Sequence, residues 1–267
     1  MYLEGDAVPK DEAEGIRWYR RAAEQDHLLA QSSLGLKYLF GDQAPKDTRE
    51  AVPWLLKAAS AGDLTCQFWL GTLYEKGDTV PKDDFLAAKW YRRAAEGGYR
   101  IAAYALGKSY RDGRGVPQDD TVAVRWFRKA AEEFGDAFSQ YELGTMYGDG
   151  RGVPKDLEEA VRWYRRAANQ GNENGQWALA LMQKFGKGTP KDPIEAYKWL
   201  TLFRAQRDTS NRDALTTDDL GDIDELLKEI TALLTPAEIA EANARAAAFV
   251  PKKETPPSSP RNGEPRR

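Results

Sequence analysis

The chain has 267 residues, of which 39 are Lys or Arg and 42 are Asp or Glu, for a net charge of -3. That balance gives no general reason to expect nucleic acid or an acidic membrane as partner, and no apolar run is long enough to span a bilayer. A single cysteine, Cys66, excludes an intrachain disulfide, and a single histidine, His27, has no partner with which to form a triad or a metal site.

In chain order, residues 1–10 are mixed and polar and show no signal peptide. Met1-Tyr2 aligns with Met146-Tyr147, so the first unit starts near the end of a helix. The natural protein is therefore expected to extend upstream, with a signal peptide as one option. Asp11 is a helix N-cap, with Glu14 three residues on to complete a capping box. The helix it opens carries Trp18 and Ala22-Ala23 and ends at Asp26. The next helix carries Leu34-Gly35 with Tyr38 three residues beyond the glycine, which puts all three on one face. A turn with Pro45 follows, then Asp47 as the next N-cap.

These signals return with one period. Trp18, Trp54, Trp90, Trp126, Trp163 and Trp199 are 36, 36, 36, 37 and 36 residues apart. Pro9, Pro45, Pro81, Pro117, Pro154 and Pro190 keep the same step, as do Leu34-Gly35, Leu70-Gly71, Leu106-Gly107 and Leu143-Gly144, continued as Leu179-Ala180. The extra residue of the 37 step falls within Glu132-Glu133-Phe134-Gly135. Asp83, Asp119, Asp156 and Asp192 repeat the N-cap, and Glu50, Glu159 and Glu195 repeat the capping-box glutamate. Gly62, Gly98, Gly135 and Gly171 close the Trp helices in the left-handed conformation, where Asp26 is the weaker choice. Neither helix can bury its apolar face alone, so the units must stack.

After residue 206 the period stops. Residues 207–221 read as a polar loop, with a helical turn at Arg212–Leu215. Asp222–Leu234 places Ile223, Leu226, Leu227, Ile230 and Leu234 on one helical face. Thr235, Pro236 and Glu238 start another helix running to Phe249, and this pair should cap the array. Residues 251–267, rich in Pro, Ser and Arg, should be disordered. The expected organisation is a repeat array over 1–206, a linker and capping helices over 207–250, and a tail.

The pattern LGxxY, GxGVPxD, AxxWYRRAAxxG resembles the Sel-one-like repeat family, a relative of the tetratricopeptide repeat. Leu143-Gly144-Thr145-Met146-Tyr147, Gly150-Arg151-Gly152-Val153-Pro154-Lys155-Asp156 and Trp163-Tyr164-Arg165-Arg166-Ala167-Ala168 carry the likeness almost letter for letter. The resemblance covers residues 1–206. It implies an all-α, right-handed superhelix of about six helix pairs, acting as an adaptor or scaffold in bacterial envelope, signalling or host-contact roles. Some members have been described as binding or cleaving β-lactams, but these carry a cysteine pair per repeat, which this chain lacks.

Cys66 falls where other units have Ala30, Ala102, Ser139 and Gly175, so it reads as a small packing residue. The Gly-x-Gly pieces follow helices rather than strands and lack the rest of a phosphate-loop fingerprint. The basic pairs Arg20-Arg21, Arg92-Arg93, Arg128-Lys129 and Arg165-Arg166 read as a solvated face whose stems cover apolar surface.

Binding residues are sought on the Leu-Gly helices, opposite the core. Positions -5, -2, +2 and +5 from the leucine line the concave surface in tetratricopeptide-like solenoids. At -2 stand Ser32, Phe68, Tyr104, Tyr141 and Trp177; at -5, Ile101 and Phe138; at +2 and +5, Lys108, Arg111 and Lys184. Aromatics flanked by cations suit a groove for an extended peptide or a partner helix.

The expected function is a non-catalytic scaffold for a protein or peptide partner, with no cofactor, no metal, no nucleic acid and no small-molecule ligand. The alternative is an envelope-associated enzyme or enzyme regulator acting on cell-wall or β-lactam-like molecules. The compartment is cytoplasmic as the sequence stands, and periplasmic or secreted if a signal peptide precedes it.

Overall fold

The computed structural model describes residues 11–42, 46–210 and 217–254. The chain divides into two compact units. Unit 1, Met1–Asp119, holds α1 (Glu12–Glu24), α2 (Leu28–Phe40), α3 (Thr48–Ser60), α4 (Leu64–Lys76), α5 (Asp84–Glu96) and α6 (Arg100–Asp112). Unit 2, Asp120–Arg267, holds α7 (Asp120–Glu133), α8 (Ala137–Asp149), α9 (Leu157–Asn169), α10 (Glu173–Phe185), α11 (Pro193–Ser210), α12 (Thr217–Thr231) and α13 (Pro236–Ala247). No strand occurs among the described residues. The odd-numbered helices α1 to α11 carry the tryptophans, the even-numbered α2 to α10 carry the Leu-Gly pairs, and the array is an α-solenoid of helix-pair repeats.

Five of the six Trp helices start as their N-caps dictate. The Asp11, Asp47, Asp83, Asp156 and Asp192 carboxylates accept from the backbone N–H three residues on, at 2.9 to 3.0 Å. The four expected boxes are only half made. The Glu14, Glu50, Glu159 and Glu195 carboxylates pair with Arg17, Arg20, Arg162 and Lys198, because a long side chain prefers a cation within reach to a backbone amide. The reciprocal box forms at Thr235–Glu238.

The loop into each Trp helix is closed by one recurring bond. Asp47, Asp83, Asp119 and Asp156 donate their backbone N–H to the carbonyls of Tyr38, Tyr74, Tyr110 and Tyr147, and Asp192 donates to Gln183, at 2.9 to 3.0 Å. The motif tyrosine thus ties the end of one helix to the cap of the next. Pro9 and Pro45 lie outside the described residues.

The core is the leucine of each Leu-Gly pair. Leu34, Leu70, Leu106, Leu143 and Leu179 are all fully buried, worth roughly 1.5–3 kcal/mol each in transfer terms. The glycine beside it leaves room for the following Trp helix. A Cβ on Gly144 would stand 2.5 Å from the Tyr164 ring, and one on Gly71 2.6 Å from that of Tyr91.

The second glycine of the Gly-x-Gly loops has an equally local role. Gly115, at φ +69°, passes so close to the first turn of α5 that a Cβ would sit 1.8 Å from the Asp84 carbonyl oxygen. Gly152 and Gly188 repeat this against Asp120 and Leu157. Where Thr79 takes the place, its hydroxyl bonds the Thr48 hydroxyl at 2.9 Å instead. The expected left-handed residues are left-handed, including Asp26 at φ +59°, the one non-glycine among the described residues with positive φ.

At the C-terminal end α11 continues to Ser210, so the loop expected from Arg207 starts later, and α12 begins before the expected Asp222. The turn expected at Arg212–Leu215 lies outside the described residues. Ile230 is fully buried against Leu179, Trp199 and Leu200, with Leu226, Leu227, Leu234 and Phe249 packed around them. Phe249 meets the Trp199 ring edge-on at 5.4 Å. Residues 251–254, read from composition as the start of a disordered tail, instead lie against α9. The Lys252 N–H donates to the Asn169 carbonyl at 3.0 Å and Glu254 is held by Arg166. Residues 255–267 lie outside the described residues.

Candidate protein-binding surfaces

The aromatics at -2 divide between packing and surface. Phe68 is 9% exposed, with its ring 5.8 Å from Tyr91, 5.4 Å from Tyr99 and 5.1 Å from Trp69. Tyr141 lies 5.8 Å from Tyr164, and Trp177 5.1 Å from Phe203. Tyr104 is half-buried, with the Lys108 ammonium 5.6 Å over its ring. Ser32 is buried and bonded by the Cys66 thiol at 3.4 Å. These rings are set mainly by contacts to the neighbouring Trp helix, which leaves Phe68 little surface to offer a partner.

Position -5 is more open, although Phe40, Phe85 and Phe185 at other positions are exposed as well. Ile101 is 42% and Phe138 57% exposed, and Leu29, at the same register and missed in the sequence, is 69% exposed. Its signal was present: it stands five residues before Leu34, as Ile101 does before Leu106. In the two remaining units the position holds Thr65 and Asn174.

The expected flanking cations are already engaged. Arg111 pairs with Asp112 at 2.7 Å, and its hydrogen bond leads the effects that hold the Asp112 carboxyl below its ordinary pKa. Lys184 pairs with Glu229 of α12 and stands 5.0 Å over the Phe185 ring.

The basic pairs on the Trp helices, read as a solvated face whose stems cover apolar surface, also make defined contacts. The first cation reaches the motif tyrosine of the next Leu-Gly helix: Arg20 donates to the Tyr38 hydroxyl at 2.9 Å, Arg92 to that of Tyr110, and Arg128 to that of Tyr147. The second lies over the tryptophan three residues before it, at 5.0 Å for Arg21, 5.2 Å for Lys57, 4.9 Å for Arg93, 5.4 Å for Lys129 and 4.4 Å for Arg166.

A further element was legible in the period and missed. Gln31, Gln67, Gln140 and Gln176 stand three residues before the leucine and are buried. Gln31 and Gln67 donate to the Ala23 and Ala59 carbonyls at 3.1 and 3.0 Å, capping the preceding Trp helix.

His27 is the exposed N-cap residue of α2 and makes no side-chain capping bond. Among the described residues no cluster of His, Cys, Asp and Glu could hold a metal ion, and no helix is long and apolar enough to cross a membrane. Cys66 is fully buried, and burial pushes its thiol up from 9.0 to about 12. Thiol reagents are therefore expected to leave the native protein unmodified at pH 8 and to label it once urea unfolds it, read by mass spectrometry. Because the folded-state value is raised, the stabilising contribution is complete below pH 9 and is lost as pH rises towards about 12. The Tyr164 hydroxyl, raised by burial from 10.0 to about 12, acts in the same direction.

A sequence profile described as "Sel1 repeat" matches residues 1–27, 28–63, 65–99, 100–133, 137–172 and 174–207. Among solved structures, a protective antigen present in uropathogenic Escherichia coli strains, displaying an SLR fold, is 33% identical, with a TM-score of 0.77 over 92% of this chain. The chain spans about half of that protein, 51% of its length. A Sel1 repeat protein from Oxalobacter formigenes is 38% identical, with a TM-score of 0.67 over 77% of this chain and 84% of that one. No curated protein matches the chain.

Proposed function

The chain belongs to the Sel1 repeat family, whose members are generally non-catalytic protein-interaction scaffolds, and from that premise we propose that it holds a protein or peptide segment on the exposed face of its Leu-Gly helices. The observation that carries this reading is the set of large apolar side chains left open at one repeat position, Leu29 and Ile101 in unit 1 and Phe138 in unit 2. Each is a side chain that folding does not bury, set at a register that the repeat reproduces. Tyr104 with Lys108 over it, and the half-buried Tyr141 and Trp177, stand three residues on from that position in their own helices and offer flat aromatic surface. Phe68 supports from beneath, and Arg111 and Lys184 contribute as members of ion pairs with Asp112 and Glu229.

The test is affinity capture from a lysate of the source organism, comparing the parent with an Ile101→Ser/Phe138→Ser variant. Both sites are exposed, so circular dichroism should show unchanged helicity. A partner retained by the parent and lost by the folded double variant supports the proposal. Equal retention by both places binding elsewhere, and no captured protein at all counts against a scaffold role.

A further inference from the structure

The second cation of each basic pair, lying over its tryptophan, is oriented along the end of the Trp helix, and at Arg166 its use is visible. The Glu254 carboxylate accepts two bonds from Arg166, at 2.9 Å from Nε and 2.6 Å from Nη2, and a third from Gln140 Nε2 at 2.9 Å. The Glu254 N–H donates to Gln170 Oε1 at 3.1 Å. Upstream, the Lys252 N–H donates to the Asn169 carbonyl, and the Pro251 ring rests 3.1 Å from where a Cβ on Gly171 would stand. Gln140 has given up the role of Gln31 and Gln67: its amide turns to the carboxylate instead of capping the preceding helix. This is a two-pronged reading of one acidic side chain carried on an extended segment.

Unit 1 repeats the parts. Arg93 is exposed and lies 4.9 Å over Trp90. Gln67 stands where Gln140 does; it is buried, and its Oε1 atom makes no hydrogen bond. Gly97 replaces Gln170, and the Leu64 side chain takes the place where a side chain on it would start, 2.3 Å from that Cβ, so Gln67 Oε1 is the buried acceptor left to receive such a donor. Gly98 stands where Gly171 does, and no atom lies within 4 Å of where a Cβ on it would stand, whereas the Pro251 ring is 3.1 Å from the equivalent point in unit 2.

We propose that Arg93 on Trp90, with Gln67 beside it, is a receptor for a Glu or Asp side chain of an extended partner segment, bound as Glu254 is bound on Arg166. It joins α5 to Gln67 of α4 and uses none of the open side chains at -5, so it extends the scaffold reading to a second surface and a stated chemistry. Two of the bonds follow unit 2, a bidentate pair to the guanidinium and a peptide N–H to a side-chain carbonyl, here Gln67 Oε1, while the Gln67 amide keeps its bond to the Ala59 carbonyl.

The test is calorimetric titration of the full chain with the blocked peptide Phe-Val-Pro-Lys-Lys-Glu, the sequence of residues 249–254, and with the same peptide ending in Gln. The Glu peptide is expected to bind, and the Gln peptide to bind about tenfold more weakly, as suits loss of a charge-assisted bond. Arg93→Ala should cause a loss of the same size, and Arg93→Lys, which keeps charge but not the fork, a partial one. Arg166→Ala should leave this binding in place. Failure to bind at millimolar peptide overturns the proposal, as does binding indifferent to Arg93→Ala or to the Glu/Gln change. Loss in Arg166→Ala with retention in Arg93→Ala also overturns it, since the peptide would then be exchanging with the chain's own Glu254.

Discussion

Gly115→Ala is expected to destabilise the chain by more than about 2 kcal/mol, although the residue lies in a surface loop and the change adds one methyl group. Two costs combine. The backbone is held at φ +69°, where an L side chain is disfavoured by roughly 1–2 kcal/mol. The added Cβ would also stand 1.8 Å from the Asp84 carbonyl oxygen, which is backbone at the start of α5 and cannot turn aside. Gly62→Ala is the control: φ is +103°, but no atom lies within 4 Å, so it meets the backbone cost alone. Urea unfolding followed by circular dichroism gives both values. Equal losses would mean that the loop does not rest on the helix before it. The comparison therefore tests how one repeat is seated on the last, which is what makes the units stack.

Trp199→Ala is expected to cost about 3–5 kcal/mol and to loosen α12 and α13 together. The side chain is 3% exposed, shares its cluster with Leu179, Leu200 and Ile230, and meets the Phe249 ring edge-on. Trp18 holds the same repeat position at the other end but is 50% exposed, so Trp18→Ala should cost no more than about 1 kcal/mol. Hydrogen exchange distinguishes the two in place as well as size: Trp199→Ala should lower protection through α11, α12 and α13, and Trp18→Ala only in α1 and α2. Similar losses for both would contradict the packing described for the capping pair.

The repeat was legible because its markers are local and share one clock. A tryptophan, an N-cap aspartate and a Leu-Gly pair each report a short-range need, and Asp26 in a glycine's place still adopts the left-handed conformation. What the sequence did not yield depends on which neighbour a side chain meets. Glu14 and Glu50 have the spacing of a capping box, yet Arg17 and Arg20 take their carboxylates. Positions -2 and -5 both point away from the core leucine, but only the placement of the neighbouring Trp helix decides that Phe68 is covered and Phe138 is not. Residues 251–254 have the composition of a tail, and the contact that fixes them joins residues 88 apart in sequence. The buried glutamines were readable, since they keep the period of the leucines, but a polar residue in a core position is easily passed over beside apolar neighbours.

The central claim, that the open apolar side chains of the Leu-Gly helices hold a protein, is tested most directly by site-specific photo-crosslinking. A photoreactive amino acid is placed in turn at Ile101, at Phe138 and, as a control, at the exposed Arg125 of α7, and the protein is irradiated in the source organism's lysate. The account predicts one and the same adduct from positions 101 and 138 and none from 125. Adducts of equal yield at all three positions, or none at 101 and 138, would contradict it.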